Sequence, residues 1–147
     1  MPSYVFGANE LVADAKSLVT ASNGILMSMI LGMKPPKSLP GTIVHVKDVA
    51  NVHVGALNEE KVVGNKNFFV SIEIPEYEEA LDITKRLFPD AVADGRLPLG
   101  GTRETTVVHL DTSETVSTFG QLKGYEEMVK SVVGQYLNLF AKEKAKA

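Results

Sequence analysis

Residues 44–57 read VHVKDVANVHVGAL, and this stretch does more than any other to define the fold. The run TIVHV at 42–46 is short and rich in β-branched residues, so it predicts a buried β-strand. Asp48 then stands where a helix N-cap is expected, because its carboxylate can accept hydrogen bonds from free backbone N–H groups. Val49 and Val52 follow at helical spacing. A buried strand that leads directly into a helix is the repeating unit of α/β folds.

Further strands and helices are predicted on both sides of this unit. Residues 4–6 and 68–72 are β-prone runs that predict two more strands, and residues 107–110 predict a short extended piece. Residues 11–33 are apolar without one clean period. They predict one or two helices, with a break near residues 22–24, where Ser, Asn and Gly occur together.

Three helices are predicted in the second half of the chain. Pro75 suits the first turn of one helix, and Asp111 with Glu114 resembles a capping box at the start of another. The last helix has the clearest pattern, a single apolar stripe. Its members are Tyr125, Met128, Val129, Val132, Val133, Tyr136, Leu137 and Phe140.

The element order favours an α/β fold with an incomplete sheet. Strands alternate with helices, but they are too few for a self-sufficient doubly wound sheet, which needs neighbours on both edges and helices on both faces. We expect residues 1–147 to form a single unit. Residues 34–41 contain three prolines and predict a loop, and the polar residues 142–147 predict a frayed tail.

Composition excludes several classes of protein. The chain has 147 residues, of which 44% are hydrophobic, and it has no cysteine, so disulfides, thiolate catalysis and zinc ribbons are excluded. Fifteen basic and eighteen acidic residues give a net charge of −3, which argues against nucleic-acid binding. Residues 17–33, the longest uncharged run, are too short and too polar to span a membrane. With no signal peptide in evidence, a cytoplasmic protein is the default expectation.

Three segments together resemble a known family. Residues 44–57 resemble the late His-Val-x-Asp-Val-Ala-x-x-His motif of extended short-chain dehydrogenases/reductases, and residues 2–7, PSYVFG, resemble the family's Pro-x-x-Val-x-Gly segment. Ala8 stands where that segment usually continues with proline. Residues 111–120 and the long helix after them resemble the family's closing segment. Within this NAD-dependent epimerase/dehydratase-like family, the chain is most similar to aldehyde, ketone and methylglyoxal-type reductases, with dihydroflavonol and cinnamoyl-CoA reductases as near relatives.

The resemblance implies a fold and a cofactor. The chain would be the C-terminal part of a Rossmann-type extended reductase, contributing late sheet strands and a small substrate lobe. In the intact family member the cofactor is NADP or NAD, and the substrate is a small carbonyl compound. By resemblance, Pro2, Tyr4 and Val5 would lie against the nicotinamide.

A wall of a substrate pocket is a further hypothesis, because pockets for small molecules are mainly apolar with few polar groups. The candidate substrate-binding residues are Asn9, Leu26, Met27, Ile30 and Met33. The alternative is that these side chains belong to the core, which is more common for methionines at helical spacing.

The family's catalytic motifs are absent from the sequence. No Gly-x-Gly-x-x-Gly or Gly-x-x-Gly-x-x-Gly turn occurs, and that turn holds the dinucleotide pyrophosphate in intact members. The family's Tyr-x-x-x-Lys pair is also missing, because no tyrosine is followed by lysine four residues later. We therefore assign no catalytic residue. We expect the chain alone to be inactive and to bind no cofactor, as the substrate-side fragment of a carbonyl reductase.

Two other interpretations concern partners and metals. The chain could be a non-catalytic α/β interaction module that pairs with a partner subunit through the stripe on its last helix. Apolar strands that lack sheet neighbours would also favour self-association. His45 and His53 have no third ligand at a motif spacing, so hydrogen-bonded structural imidazoles are preferred over a metal site.

Overall fold

A computed structural model describes residues 1–145 of the chain. Its five strands are β1 (Tyr4–Phe6), β2 (Leu39–Pro40), β3 (Thr42–His45), β4 (Ile72–Glu73) and β5 (Thr105–Thr106). Its seven helices are α1 (Ala15–Leu18), α2 (Ala21–Ile30), α3 (Val46–Gly55), α4 (Glu79–Leu87), α5 (Pro89–Ala93), α6 (Ser113–Phe119) and α7 (Tyr125–Lys144). The structure is a mixed α/β fold with small, incomplete sheets, as the sequence predicts.

The main sheet has three strands in the order β1-β3-β4. Strand β1 runs parallel to β3, with Tyr4 opposite Ile43, and β4 runs antiparallel to β3. The predicted strand at residues 68–72 is therefore wrong in its extent, because the β4 ladder covers only Ile72–Glu73. Val70 forms a single bridge to Pro2 instead.

A second, two-stranded sheet pairs β2 with β5 in parallel. Here the prediction of a loop throughout residues 34–41 is wrong for Leu39–Pro40. The backbone N–H groups of Leu39 and Gly41 donate to Glu104 and Thr106 at 3.1 and 2.9 Å, so the proline between them is not needed as a donor. The strand in the later segment is Thr105–Thr106, just before the predicted extended piece at 107–110.

The larger hydrophobic cluster lies on one face of the main sheet. Phe6 and Ile43 contribute to it from β1 and β3, because alternate strand side chains point to the same face. Helices α2, α4 and α7 cover this face. The predicted stripe on α7 is used inside the chain, since Met128, Val129 and Val132 are fully buried in this cluster.

The opposite face carries a smaller cluster. Its buried members are Val44, Val52, Phe68 and Val70, and α3 is the main helix packed against it, with Phe119 at the end of α6 beside it. The ring of Phe119 meets that of Phe68 edge-on at a centroid distance of 4.9 Å.

Two predicted helix boundaries are corrected by local packing. The break between the first two helices lies at residues 19–20 and not at 22–24. Gly24 lies within α2, where its backbone passes close to the Val19 carbonyl. A Cβ at this position would lie 2.5 Å from that carbonyl oxygen, so a larger residue would not fit without a shift. Pro75 also lies before the helix, which begins at Glu79.

The capping assignments also differ from the prediction. His45 is the N-cap of α3, and Asp48 lies within its first turn. Thr112 is the N-cap of α6, so the Asp111–Glu114 capping box is wrong. Asp111 accepts a hydrogen bond from the Ser113 N–H at 3.0 Å, while Glu114 forms an ion pair with Lys66.

The C-terminal helix extends further than its apolar stripe. It continues to Lys144, so residues 142–144 of the predicted frayed tail are helical. Glu143 accepts a hydrogen bond from the Ala15 N–H at 2.7 Å, which joins this end of α7 to α1. Residues 146 and 147 lie outside the described residues. Within residues 1–145, no helix combines the length and the apolar character needed to cross a membrane.

Candidate functional site at the carboxyl edge of the sheet

The carboxyl ends of β1 and β3 open onto a cavity of about 500 Å³. The two strands are parallel, so both end at the same edge of the sheet. In open α/β sheets, ligands bind in the crevice outside the carboxyl ends of the strands. The lining includes Val5, Gly7, Asn9, Ser22, His45 and Lys47.

A glycine directly after β1 forms one wall of the cavity. Gly7 has φ +144°, and a Cβ at this position would lie 2.6 Å from the Cγ1 atom of Val46. The Asn23 side chain holds the Gly7 backbone on both sides. Its Oδ1 accepts from the Gly7 N–H at 3.2 Å, and its Nδ2 donates to the Gly7 carbonyl at 2.8 Å. Ser22 donates a hydrogen bond to the Val5 carbonyl.

Helix α7 holds the loop that continues from this glycine. The Ala8 N–H donates to Ser131 Oγ at 2.9 Å. Gln135 makes two bonds to the backbone of Asn9, accepting from its N–H at 2.7 Å and donating to its carbonyl at 2.7 Å. The rim of the cavity is therefore fixed by side chains from two helices, α2 and α7.

His45 links the cavity to the start of α3. Its Nδ1 accepts from the Lys47 N–H at 3.1 Å, so the neutral ring carries its proton on Nε2. Burial lowers the pKa of His45 below its usual value, and the nearby Asp48 carboxylate opposes this shift. Asp48 is itself buried and accepts from the Lys123 N–H at 2.8 Å. It joins α3 to the segment before α7, which is a structural role different from the N-cap role predicted for it.

The two histidines considered for a metal site do not converge. His53 is exposed on α3, where its Nδ1 donates to the Val49 carbonyl at 2.7 Å. Between residues 1 and 145, no three His, Cys, Asp or Glu side chains are grouped closely enough to hold a metal ion.

The structure brings one of the three predicted cofactor-binding residues to the cavity. Val5 lines it directly. Tyr4 is half-buried and packs against the larger cluster on one face of the sheet. Pro2 is exposed and bridges to Val70, and it lies three residues before Val5, the first residue of the lining.

The predicted substrate-binding residues divide in the same way. Asn9 lines the cavity, whereas Met33 is 55% exposed and lines a separate groove. Leu26, Met27 and Ile30 are fully buried in the larger cluster, the core position that was their alternative assignment. Sequence reasoning did not identify Ser22, Asn23, Ser131 or Gln135, and it left Lys47 without an assigned role. The available signal for Ser22 and Asn23 was their position at the predicted helix break, residues 22–24.

Tyrosine does not supply a proton donor at this cavity. Tyr77 and Tyr125 are buried, and their hydroxyls donate to the carbonyls of Pro40 and Tyr77 at 2.8 and 2.9 Å. Burial raises the pKa of both phenols well above the usual value. Within the described part of the chain, no tyrosine is among the residues that line the cavity.

Known proteins of similar sequence include two named reductases. The chain is 38% identical to Ketoreductase CTB6 of Cercospora nicotianae over 149 aligned residues, which cover 97% of this chain and 42% of that protein. It is 26% identical to the NADPH-dependent methylglyoxal reductase GRE2 of Saccharomyces cerevisiae, covering 92% of this chain and 40% of that one. No family model matches the chain.

A solved structure with the same fold contains a bound dinucleotide. Gre2 from Candida albicans in complex with NADPH superposes with a TM-score of 0.67 at 24% identity, covering 94% of this chain and 42% of that one. The fold is thus that of the C-terminal portion of a Rossmann-type reductase. The resemblance to extended short-chain dehydrogenases/reductases is confirmed, and the chain spans about two fifths of the length of the curated relatives it matches.

Proposed function

We propose that this chain forms the substrate side of an NADPH-dependent carbonyl reductase. The cofactor cradle and the proton-donating pair would then belong to polypeptide outside these 147 residues. The observation that carries the proposal is the cavity at the carboxyl ends of β1 and β3, because this is where α/β reductases bind their ligands. The relatives named as ketoreductase and methylglyoxal reductase support the same reaction class.

The residues after β1 suit the nicotinamide end of a dinucleotide. Val5 offers an apolar surface, and the missing Cβ of Gly7 lets the backbone approach closely. The Pro2 and Tyr4 contacts implied by the family remain predictions within this proposal. When bound, the cofactor would supply the hydride, while the residues of this chain would place the carbonyl compound beside it. NADPH is preferred over NADH because the names of the relatives specify it.

The cavity wall suits a small carbonyl substrate. It is mainly apolar and carries a few polar side chains, including Asn9, Ser22 and Lys47. Leu26, Met27 and Ile30 would act only from behind this wall, by packing. The sequence lacks Tyr-x-x-x-Lys, and among residues 1–145 no tyrosine lines the cavity, so we expect the chain to be inactive alone and to bind no cofactor tightly.

The proposal includes partners and location. The net charge of −3 does not favour nucleic-acid binding, and a cytoplasmic location remains a prediction within this proposal. Self-association of the isolated chain is expected through apolar side chains around the thinly covered face of the sheet. Leu57 is 81% exposed, Val63 74% and Phe69 45%.

The alternative, a non-catalytic module that docks a partner through the last helix, has less support. Its apolar stripe packs within the chain, where Tyr125, Met128 and Val132 lie in the larger cluster. The stripe therefore offers little apolar surface to a partner subunit.

A chimera tests the proposal. The part of Ketoreductase CTB6 that precedes the matched segment would be joined to this chain, and NADPH oxidation would be followed with ketones and aldehydes. We expect turnover by the chimera and none by the isolated chain. Carbonyl turnover by the isolated chain would contradict the proposal, and so would a folded chimera without turnover.

Two matched substitutions locate the reaction at the cavity. Ala50 lines it, whereas Ala56 is exposed just after α3 and does not. Filling the cavity with Ala50→Phe should lower kcat/KM of the chimera about tenfold or more, a loss of about 1.4 kcal/mol in transition-state binding. Ala56→Phe should leave kcat/KM nearly unchanged, and equal effects would place the reaction elsewhere.

A further inference from the structure

A second groove lies beside the first turn of α2 and contains an arginine without a carboxylate partner. The groove has a volume of about 580 Å³ and adjoins the cavity described above through Ala21, which lines both. Arg103 reaches it from the loop before β5, and Lys34 reaches it from the loop after α2. The proposed reductase reaction does not use this groove.

The guanidinium of Arg103 is incompletely satisfied by the protein. Nη1 donates to the Lys37 carbonyl at 3.3 Å, and Nη2 donates to Ser28 Oγ at 3.4 Å, so both bonds are long. Nε is buried and has no hydrogen-bond partner. A buried donor without an acceptor is costly, and the two long bonds leave the Nη groups only weakly engaged by the protein.

The charge of Arg103 is also unbalanced, in contrast to the other two arginines. Arg86 pairs with Glu126 and Arg96 with Asp94, each at 2.7 Å. Among residues 1–145, no carboxylate oxygen lies within 4.0 Å of the Arg103 guanidinium. The nearest carboxylate contact of this residue is made by its backbone, whose N–H donates to Glu78 Oε1 at 3.2 Å.

The residues that line the groove combine positive charge with apolar surface. Its two charged residues, Arg103 and Lys34, are both cations, and no acidic residue is included. The remaining wall is mainly apolar, formed by Val19, Ile25, Met33 and Pro35. A planar guanidinium matches the two oxygens of a carboxylate, and the apolar wall favours an acid that carries a hydrocarbon chain.

We propose that Arg103 anchors a second binding site, which takes the carboxylate of an organic acid and lays its apolar chain along the groove. The carboxylate accepts from the two Nη groups of the guanidinium, and Lys34 adds a second positive charge at the rim. This site is separate from carbonyl reduction, so its test does not depend on turnover.

The test is a titration of the 15N-labelled, 147-residue chain with hexanoate, followed by NMR. We expect a saturable shift of the Arg103 Nε–H signal, because a carboxylate bound to the Nη groups changes the electrostatic environment of the adjacent Nε–H. Hexanol, which has the same chain without the charge, should bind about tenfold more weakly, equivalent to about 1.4 kcal/mol. Inorganic phosphate, which has the charge without the chain, should also bind about tenfold more weakly.

Two variants complete the test. Arg103→Gln should remove the preference for hexanoate over hexanol, whereas Arg96→Gln, at an arginine already paired with a carboxylate, should retain it. Thermal unfolding checks that each variant is folded, and the wild-type titrations remain decisive if Arg103→Gln is not. Equal binding of hexanoate and hexanol, equal binding of phosphate, or no saturable shift would overturn the proposal.

Discussion

The two faces of the main sheet differ sharply in how they are covered. On one face, Phe6 and Ile43 lie in a large cluster that α2, α4 and α7 complete. On the other face, Val44 belongs to a cluster with only three other buried residues, and α3 and the region of α6 cover it. Strands β1 and β3 therefore have one well-covered face, the finished face, and one thinly covered face, the thin face.

This difference indicates where further polypeptide would pack. Buried parallel strands need a neighbour on each edge and helices on both faces. Within residues 1–145, strand β1 pairs only with β3, so one of its edges is free, and exposed Phe69 lies between Phe68 and Val70 of the thinner cluster. A chain that spans about two fifths of its relatives would show this asymmetry if the remaining part completed the sheet.

The largest expected effect is on the finished face. Phe6 is fully buried there, so Phe6→Ala should lower the free energy of unfolding by about 3–5 kcal/mol. Chemical denaturation followed by circular dichroism measures this. A loss below about 1 kcal/mol would mean that this face is not the main source of stability.

A matched pair of valines compares the two faces directly. Val132 is fully buried in the larger cluster and Val70 is 2% exposed in the smaller one, so both substitutions to alanine remove the same buried atoms. We expect Val132→Ala to cost about 2–3 kcal/mol and Val70→Ala about 1–2, because a thinly covered site collapses more easily around a cavity. The reverse order would break the comparison.

The free energy of unfolding should depend on pH through His45, which lies at the carboxyl end of β3. Burial lowers its pKa in the folded state, while Asp48 and Glu127 oppose the shift and Lys123 and Lys47 reinforce it. The unfolded chain therefore binds the proton more readily. The free energy of unfolding therefore keeps its full value above about pH 6.5. As the pH falls below this value, the part that depends on neutral His45 is lost.

The control for this prediction keeps the helix cap. His45→Asn retains an acceptor for the Lys47 N–H without a titrating group. Denaturant unfolding from pH 7.5 to 5.5 should show a smaller loss of stability in the variant than in the wild type. Identical profiles would exclude His45 as the origin.

The smallest effect on stability is expected at the exposed apolar residues. Leu57→Ser should change the free energy of unfolding by less than about 0.5 kcal/mol, because the side chain is already in solvent. It should nevertheless reduce self-association measured by sedimentation velocity. A variant that associates as strongly as the wild type would show that Leu57 does not contribute to self-association.

Local patterns predicted the parts of the fold that depend on nearby residues. Strand β3 was recognised because its run is short and rich in β-branched residues, although it ends at His45 and not at Val46. The helix after it and the α7 stripe were recognised because apolar residues repeat at helical spacing. The β2–β5 pairing was missed because it joins residues far apart, and prolines locally argue against it. The His45 cap was missed because histidine is an uncommon N-cap and Asp48 is a common one.

The candidate site was only partly predictable for the same reason. Val5 and Asn9 follow from the strand end and the family segment, and both line the cavity. Ser131 and Gln135 come from the far end of the chain and reach the loop only through tertiary packing. Leu26 and Met27 have the helical spacing of a pocket wall, but the same spacing serves the core.

The free edge of β1 allows the central claim to be tested by hydrogen–deuterium exchange. Amide exchange would be compared between the isolated chain and the chimera that carries the preceding part of Ketoreductase CTB6. If the missing polypeptide completes this sheet, exchange at Tyr4–Phe6 should slow markedly in the chimera, while exchange in α7 should change little. Equal exchange at Tyr4–Phe6 in both proteins would contradict the account.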